Sequence, residues 1–247
     1  MTLYKTEAII LRKRPLGEAD QIITFISPEH GKFDAVAKGI RKVKSTFSGK
    51  LELFCRVRLL AAEGKNLDTI SQAELLNPRK GINKDIAHFA YASLVLELVD
   101  LFTEEGEKNR TLFNLLDLTL ESLERKKNLK LVLIIFQIKL LRILGYMPEI
   151  KKCIICSSAI SLSFFSPSGG GAVCGLCRGN VKDAIPAGES VFKIIDTFRK
   201  LPLNSSQRVN LSAMQVADTE KILERHVKYR LEREIKSLVF IKEVLNK

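Results

Sequence analysis

The 247-residue sequence contains no long apolar run and only seven prolines. Its longest purely apolar run, Leu131–Phe136, is far shorter than the ~20 residues that a membrane-spanning helix needs. Met1–Asp20 contains no long apolar stretch behind a basic one, so we expect no signal peptide. The scarcity of proline and the lack of low-complexity tracts exclude a largely disordered chain. We expect a soluble intracellular protein whose 46% hydrophobic residues form the core of one or two domains.

Histidine is also scarce. The three histidines, His30, His88 and His226, lie in different regions, and the sequence has neither an H-E-x-x-H motif nor an H-x-E motif before a cysteine pair. A catalytic zinc site keeps one ligand position open and usually has a nearby Glu or His. The sequence therefore weakens the case for a zinc-dependent hydrolase, and we predict a protein that is not an enzyme. His226 lies near an apolar helical stripe and is interpreted as a packed structural residue.

Acidic residues are outnumbered, with 28 Asp and Glu against 40 Lys and Arg, for a net charge of +12. Such a surplus favours a polyanionic partner, because each neutralised phosphate releases a condensed counterion. The net charge changes sign along the chain. Residues 1–80 contain 15 basic and nine acidic side chains, and residues 81–124 contain three basic and nine acidic ones. Residues 125–247 contain 22 basic and ten acidic side chains. This distribution predicts two positive surfaces separated by an acidic, solvated helical face.

The first 77 residues are typical of short strands, because they are rich in Ile, Val, Phe and Thr and are bounded by Gly, Pro or Asn. The predicted strands are Leu3–Lys13, Asp20–Ser27, Lys32–Ile40, Leu51–Ala61 and Leu67–Leu76. Pro28–Gly31 has the right length and composition for a hairpin turn. Five strands without a long helix favour a small closed barrel of OB or SH3-like type, and of these the OB barrel, whose face commonly binds single-stranded nucleic acid.

After Pro78 the apolar period changes from two to about 3.6 residues. Asn83 is the predicted N-cap of the first helix. Helices are predicted over residues 86–102, 112–123, 129–144, 189–200 and 212–245, the last as one long helix. The predicted fold class is α+β with two domains. Residues 1–79 form an OB-type nucleic-acid-binding domain, and residues 80–247 form an all-α domain with a four-cysteine zinc ribbon inserted at about 150–180.

The cysteines carry the clearest chemical signal. Cys153 and Cys156 form one C-x2-C pair, and Cys174 and Cys177 form a second pair 17 residues further on. This spacing is typical of a four-cysteine zinc ribbon, because two intervening residues let both thiolates of a pair reach one ion. The alternatives are two disulfides, which a reducing compartment disfavours, or four unrelated thiols. Because four thiolates close the coordination shell, we predict one structural zinc ion rather than a catalytic one.

A basic segment follows the third predicted strand. Cations in such a loop can follow a nucleic-acid backbone, and aromatic rings accept bases by stacking at ~1–3 kcal/mol each. Phe47 and Phe54 are candidate rings, and a solvated basic face over core phenylalanines is an equally good interpretation on charge alone. The predicted nucleic-acid contacts are Lys32, Lys38, Arg41, Lys42, Lys44, Lys50, Phe54, Arg56 and Arg58.

Several segments, in this order, resemble the RecO family of bacterial recombination and repair proteins. They are Thr6–Leu11, Leu16–Asp20, Gly31–Lys32, Ala35–Lys42, Gly49–Phe54, Leu140–Pro148, Phe165–Ser166, Gly169–Gly170 and Leu231–Ser237. The resemblance implies an N-terminal OB domain and a helical domain bearing a zinc-ribbon-like element. It also makes the basic residues from Lys32 to Lys44 the best candidate DNA contacts.

The resemblance further implies a function in DNA repair and homologous recombination without catalysis. Such a protein binds single- and double-stranded DNA, anneals complementary strands and, with RecR, helps load RecA onto DNA coated by single-strand binding protein (SSB). The acidic, hydrophobic-ended SSB tail would dock on the helical domain. The setting would be the bacterial cytoplasm, in association with the nucleoid and not with a membrane.

Two other classes of protein stay open at this point. An RNA-binding translation or ribosome-associated factor would also combine a basic OB barrel with a zinc ribbon, and it would prefer folded RNA to single-stranded DNA. A protein-interaction scaffold would use the long C-terminal helix as its docking surface and would bind no nucleic acid at low salt.

Overall fold

The computed structural model describes residues 2–125, 128–203 and 209–245. The chain divides into two compact units, residues 1–127 with 236–247 and residues 128–235. The first unit contains a β-barrel and three α-helices, and the second contains three α-helices and a small sheet with the cysteines. The predicted α+β class, with a barrel followed by helices and a cysteine-bearing insert, is confirmed.

The barrel is closed and has the strand order β1-β2-β3-β5-β4. Its strands are β1 (Leu3–Leu16), β2 (Asp20–Ser27), β3 (Gly31–Ala37), β4 (Arg56–Ala62) and β5 (Asp68–Asn77). All neighbours are antiparallel except β3 and β5, and β1 closes the barrel against β4. Inward-facing residues such as Ile10, Phe25 and Leu59 form a dry core. This five-stranded closed topology is that of an OB-type barrel.

The predicted turn between β2 and β3 is confirmed, with Ser27 paired to Gly31. Gly31 has a φ of 68°, in the left-handed region that favours glycine. A Cβ at this position would also overlap the backbone of Glu107. The glycine therefore serves both the turn and the close approach of a second chain segment.

The fourth strand begins five residues later than predicted, at Arg56 instead of Leu51. Strict alternation fails at Phe54 and Cys55, which are consecutive and both buried. Phe54 has a φ of 70°, and its ring meets the ring of Phe89 edge-on at 5.4 Å. The segment before β4 is a compact turn, because left-handed backbone at Phe54 interrupts the extended conformation. The third strand likewise ends at Ala37, earlier than predicted.

Three helices complete the first unit: α1 (Ile86–Phe102), α2 (Arg110–Arg125) and α6 (Lys236–Leu245). The N-cap of α1 is Asp85 rather than the predicted Asn83, and its carboxylate accepts the backbone N–H of His88 at 3.0 Å. Residues 80–84 form a 3-10 turn that displaces the helix start. Helix α1 packs on β1 and on α6, and α2 packs on β2.

The single long helix predicted over residues 212–245 is wrong. The structure has two helices, α5 (Ala213–Leu231) and α6, which are separated at Glu232. Glu232 has a φ of 51° and ends α5 in the left-handed conformation. The start of α5 is a capping box formed by Ser212 and Gln215.

The second unit is built on α3 (Leu129–Ile143), which is buried nearly all round. Helices α4 (Glu189–Lys200) and α5 pack against α3. The inserted sheet has the order β7-β6-β8, with β6 (Leu162–Ser166), β7 (Gly171–Cys174) and β8 (Ile185–Pro186). A 3-10 turn over Gly175–Asn180 follows β7 and carries the last cysteine.

Candidate nucleic-acid interface and candidate metal centre

The basic loop, residues 38–50, begins where β3 ends and contains five cations and no acidic residue. Its first turn is tied to the β1–β2 turn: the N–H of Gly39 donates to the Asp20 carboxylate at 2.7 Å, and the N–H of Arg41 donates to the Ala19 carbonyl at 3.0 Å. Phe47 inserts into the barrel core, so the far side of the loop is also fixed. The backbone is therefore held at both ends while its basic side chains point outward.

The cations of the basic loop are available to a ligand. Lys38, Arg41, Lys42 and Lys44 are exposed, and Lys50 is half-buried. Among the described residues, none of these five forms an ion pair with a carboxylate. Five uncompensated charges on one short, anchored segment create a concentrated positive potential of the kind that attracts a polyanion.

The other three predicted basic contacts are already paired. Lys32 donates to the Asp100 carbonyl at 2.6 Å and lies 3.3 Å from the Asp100 carboxylate. Arg56 pairs with Glu7 at 2.6 Å and with Asp117 at 2.7 Å. Arg58 pairs with Glu7 at 3.0 Å and with Glu74 at 2.8 Å. The predicted set of eight cations thus divides into five available groups and three that are neutralised.

The expected solvated acidic face holds only in part, because Asp85, Glu104, Glu105 and Glu107 are exposed whereas Asp100 and Asp117 are paired. Asp100 and Asp117 lie on α1 and α2, and both face the basic side chains of the barrel segment. Asp117 also pairs with Arg79, whose side chain is only 2% exposed. A buried guanidinium needs such a partner, because an unpaired charge in the interior is costly. Arg79 is not among the predicted residues, since nothing in its local pattern signals burial.

The predicted aromatic platforms are wrong. Phe54 is 1% exposed and Phe47 is 7% exposed, so neither ring can receive a base. Partly exposed rings lie instead at the other end of β3, where Tyr4 packs on His30 at 4.4 Å and meets Phe33 edge-on at 6.3 Å. Burial and the Asp68 carboxylate raise the pKa of the Tyr4 hydroxyl. The three residues come from β1, the β2–β3 turn and β3, so periodicity alone does not bring them together.

The four predicted cysteine ligands do converge. The Sγ atoms of Cys153, Cys156, Cys174 and Cys177 all lie within 4.8 Å of one another, and those of Cys156 and Cys174 are 3.8 Å apart. A Zn–S bond of about 2.3 Å implies S···S edges of about 3.8 Å in a regular tetrahedron. All four cysteines are free thiols. The residues therefore fit a tetrahedral metal site with a closed shell.

Backbone geometry prepares this site for thiolates. The N–H groups of Cys156, Cys174 and Ile155 point at the Cys153 sulfur. Burial alone would raise the pKa of Cys153, but these hydrogen bonds and one with the Cys156 sulfur lower it. Hydrogen bonds of this kind orient a ligand and stabilise its charged form. Hydrogen bonds with the other three cysteines raise the pKa of Cys177, so without an ion the cluster does not hold four thiolates.

The first cysteine pair is attached to the inserted sheet by close backbone contact. The N–H of Ile154 donates to the Ala172 carbonyl at 3.0 Å, and the N–H of Ala172 donates to the Glu149 carbonyl at 2.7 Å. A Cβ on Gly171 would lie 2.7 Å from that Glu149 carbonyl. The glycines here are needed mainly for this close approach.

His226 is fully buried on α5, as the interpretation of it as a structural residue predicted. Its Nε2–H donates to the Tyr146 carbonyl at 2.8 Å, and its ring meets Phe165 edge-on at 5.6 Å. Burial lowers the pKa of His226, and the nearby Arg230 lowers it further. The neutral histidine thus joins α5 to the inserted sheet.

An OB-type barrel with an available basic loop, followed by a helical part with a closed four-thiol site, defines a class of modular binding proteins. Two family models match the chain: Recombination protein O N terminal over residues 1–79 and Recombination protein O C terminal over residues 83–238. The chain therefore belongs to the RecO family.

Curated relatives agree over the full length. The chain is 36% identical to the DNA repair protein RecO of Thermoanaerobacter sp. (strain X514) over 247 residues, covering 100% of both chains. It is 36% identical to that of Pelotomaculum thermopropionicum over 242 residues, covering 98% of this chain and 94% of the relative. It is 34% identical to that of Roseiflexus sp. (strain RS-1) over 244 residues, covering 98% of this chain and 86% of the relative.

Family membership identifies a role in DNA repair and recombination. The RecO family is one of DNA repair mediators and is not a known family of enzymes. The alternative of a translation or ribosome-associated factor is accordingly set aside. Among the described residues, no helix has the length and apolar character that crossing a bilayer requires.

Proposed function

We propose that this chain binds single- and double-stranded DNA, anneals complementary strands and, with RecR, helps load RecA onto SSB-coated single-stranded DNA. The observation that carries the proposal is the basic loop, with five cations that are anchored by the barrel and paired with no described carboxylate. Residues 1–79 are the proposed DNA-binding domain, and residues 80–247 the helical domain with its ribbon. The setting is the bacterial cytoplasm, in association with the nucleoid.

Annealing requires no bond-making chemistry. Two strands repel each other through their phosphates, and a protein that neutralises one backbone lowers this repulsion while the bases stay accessible. Lys38, Arg41, Lys42 and Lys44 supply that neutralisation in the proposal, with Lys50 at the edge. Lys32, Arg56 and Arg58 have a structural role instead, because each already forms ion pairs. Lys32 pairs with Asp100, Arg56 with Glu7 and Asp117, and Arg58 with Glu74.

The proposed ion in the four-cysteine site is zinc. Four sulfur ligands at tetrahedral separations suit zinc, and a closed shell makes its role structural. Cys153, Cys156, Cys174 and Cys177 would hold the ion, which would fix the two knuckles of the ribbon to each other.

The proposed docking site for the SSB tail lies in the second unit. A cavity of about 210 Å³ lies between α4 and the residues before α5. The residues that line the cavity include the apolar Ile194, Phe198 and Leu211 and the basic Lys193. This combination of apolar side chains and a cation suits a tail that is acidic and ends in hydrophobic residues.

A strand-annealing assay on SSB-coated complementary oligonucleotides tests the proposal. The loop variant Arg41→Ala/Lys42→Ala/Lys44→Ala is expected to anneal at least tenfold more slowly than the wild-type chain. The control variant Lys65→Ala/Lys84→Ala/Lys108→Ala removes the same charge from exposed positions of the first unit and should anneal normally. Equal rates for the loop variant and the wild type would refute the basic loop as the site.

A further inference from the structure

The ribbon carries two apolar side chains in an unusual position. Each C-x2-C pair has an exposed hydrophobic residue immediately before its second cysteine, namely Ile155 and Leu176. Leu176 is 98% exposed and Ile155 is 48% exposed. The adjacent residues Cys156 and Cys177 have sulfurs within 4.8 Å of each other, so each exposed side chain lies next to the four-cysteine cluster in the sequence.

Leu176 projects from a turn that is attached to the rest of the ribbon on both sides. An exposure of 98% means that Leu176 projects beyond all its neighbours, so it cannot form the floor of a groove. The cysteines on either side of the Gly175–Leu176 pair lie in the four-cysteine cluster, and Cys174 is also paired with Leu162 in the inserted sheet. A projecting apolar side chain on a fixed turn is suited to insertion into a partner rather than to receiving one.

The charged residues near Ile155 and Leu176 in the sequence indicate the charge of a partner. From Ile150 to Lys182 the chain has four basic residues and no acidic one. The four are Lys151, Lys152, Arg178 and Lys182, and all are exposed. Arg178 also lies over the ring of Phe164 at 5.5 Å, which holds its guanidinium beside the second knuckle. Two carboxylates flank this stretch, since Glu149 accepts the N–H of Lys151 at 2.9 Å and Asp183 accepts the Ser166 hydroxyl at 2.7 Å, but the four cations outnumber them. This excess of positive charge complements a phosphate backbone.

We propose that the tip of the ribbon, the turn that carries Leu176, is a second DNA contact, at which Leu176 wedges against a base step where single and double strands meet. Apolar wedges of this kind unstack a base step while flanking cations hold the phosphates. The inference rests on the proposed function, because it takes DNA as the ligand. It adds a contact that acts on base stacking, whereas the basic loop acts on backbone charge.

The test uses the full chain and a duplex with a single-stranded overhang that carries 2-aminopurine at the junction. Unstacking of this base raises its fluorescence. The wild-type chain is expected to raise the signal, and Leu176→Ser is expected to abolish the rise and to bind the junction roughly tenfold more weakly, the scale set by one apolar side chain losing its buried environment. The substitution keeps all four ligands, and equal metal content of the two proteins verifies this.

Ile160→Ser is the matched control, because Ile160 is also exposed, at 76%, in the same insert but lies outside both knuckles. It should behave like the wild type. Lys151→Ala/Lys152→Ala should weaken junction binding while Leu176 still produces the fluorescence rise. Wild-type fluorescence with Leu176→Ser would overturn the inference. So would normal DNA binding by Leu176→Ser combined with loss of binding to an acidic, hydrophobic-ended peptide, which would make the tip a protein contact.

The two proposals fail in different ways. If the wild-type chain binds and anneals single strands but never unstacks the junction base, only the wedge is refuted. If the wild-type chain binds no DNA at low salt, the proposed function itself is refuted. The loop variant should retain the junction fluorescence at saturating protein, which separates the two contacts.

Discussion

The Glu97 carboxylate on α1 accepts a hydrogen bond of 2.7 Å from the backbone N–H of Ser237, 140 residues further along the chain. Its other oxygen accepts the N–H of Lys236 at 2.9 Å. Both donors belong to the first turn of α6, where N–H groups have no partner within the helix. A side chain from another helix therefore caps α6 and places a negative charge at the positive end of its dipole.

Replacing this carboxylate should release the C-terminal helix. Glu97→Ala is expected to lower the free energy of unfolding of the first unit by about 1–2 kcal/mol, the scale of a lost N-cap. Urea unfolding measures the loss, and hydrogen exchange should accelerate selectively over residues 236–245. Glu104→Ala, at an exposed carboxylate, is the control. Unchanged exchange in α6 would show that the cap is not what holds it.

The basic loop should set the salt dependence of DNA binding. Each lost phosphate contact lowers the slope of log affinity against log salt concentration by roughly 0.7 for single strands and 0.9 for duplex. Arg41→Ala/Lys42→Ala/Lys44→Ala should therefore flatten the slope by about two units for single strands and by nearly three for duplex, and it should weaken binding to all sequences alike. Fluorescence anisotropy titrations between low and moderate salt measure both quantities. A loop variant that loses affinity for one sequence only would contradict a backbone contact.

Removing the metal should loosen the ribbon and leave the barrel intact. Structural zinc sites contribute roughly 10 kcal/mol of binding free energy to the fold that they close. Chelation, or Cys174→Ser, should increase hydrogen exchange over residues 153–177 without changing exchange in β1 to β5. Elemental analysis should find one zinc per wild-type chain. Cys55→Ala is the control, because Cys55 is buried in the barrel core, and it should keep the metal.

The buried His226 should make the second unit less stable in acid. Burial lowers its pKa in the folded state, whereas the unfolded chain has a pKa of about 6.5. As pH falls below about 6.5, His226 is protonated in the unfolded state but stays neutral in the folded state, so the free energy of unfolding decreases. His226→Gln can keep a donor to the Tyr146 carbonyl but does not titrate. Thermal unfolding at pH 7 and pH 5 should show a smaller acid loss for the variant, and equal losses would contradict the assignment.

Features with a local physical cause were predictable from the sequence. The predicted limits of β2 and α4 match the observed ones, because alternation and helical periodicity are properties of neighbouring residues. The four cysteines were predictable for a related reason, since the two-residue spacing of each pair directly encodes convergence of two thiols. The barrel type followed from the number and length of the strands.

Errors arose where a residue's state depends on a distant partner. Glu232 interrupts the predicted long helix, although residues 232–235 contain neither glycine nor proline. The compensation comes from Glu97, which satisfies the N–H groups that the break exposes at the start of α6. Phe54 fits an alternating strand in the sequence, and its burial against Phe89 decides its conformation.

The sequence by itself determined the element types, the closed four-thiol chemistry and the overall positive charge. Only the tertiary structure decided which cations are available, because Lys32, Arg56 and Arg58 meet carboxylates from remote segments whereas the basic loop meets none that the structure describes. Local patterns act over a few bonds, while the free energy of a charge or a buried ring depends on whatever the folded chain places beside it. The division between paired and available cations therefore appears only once the chain has folded.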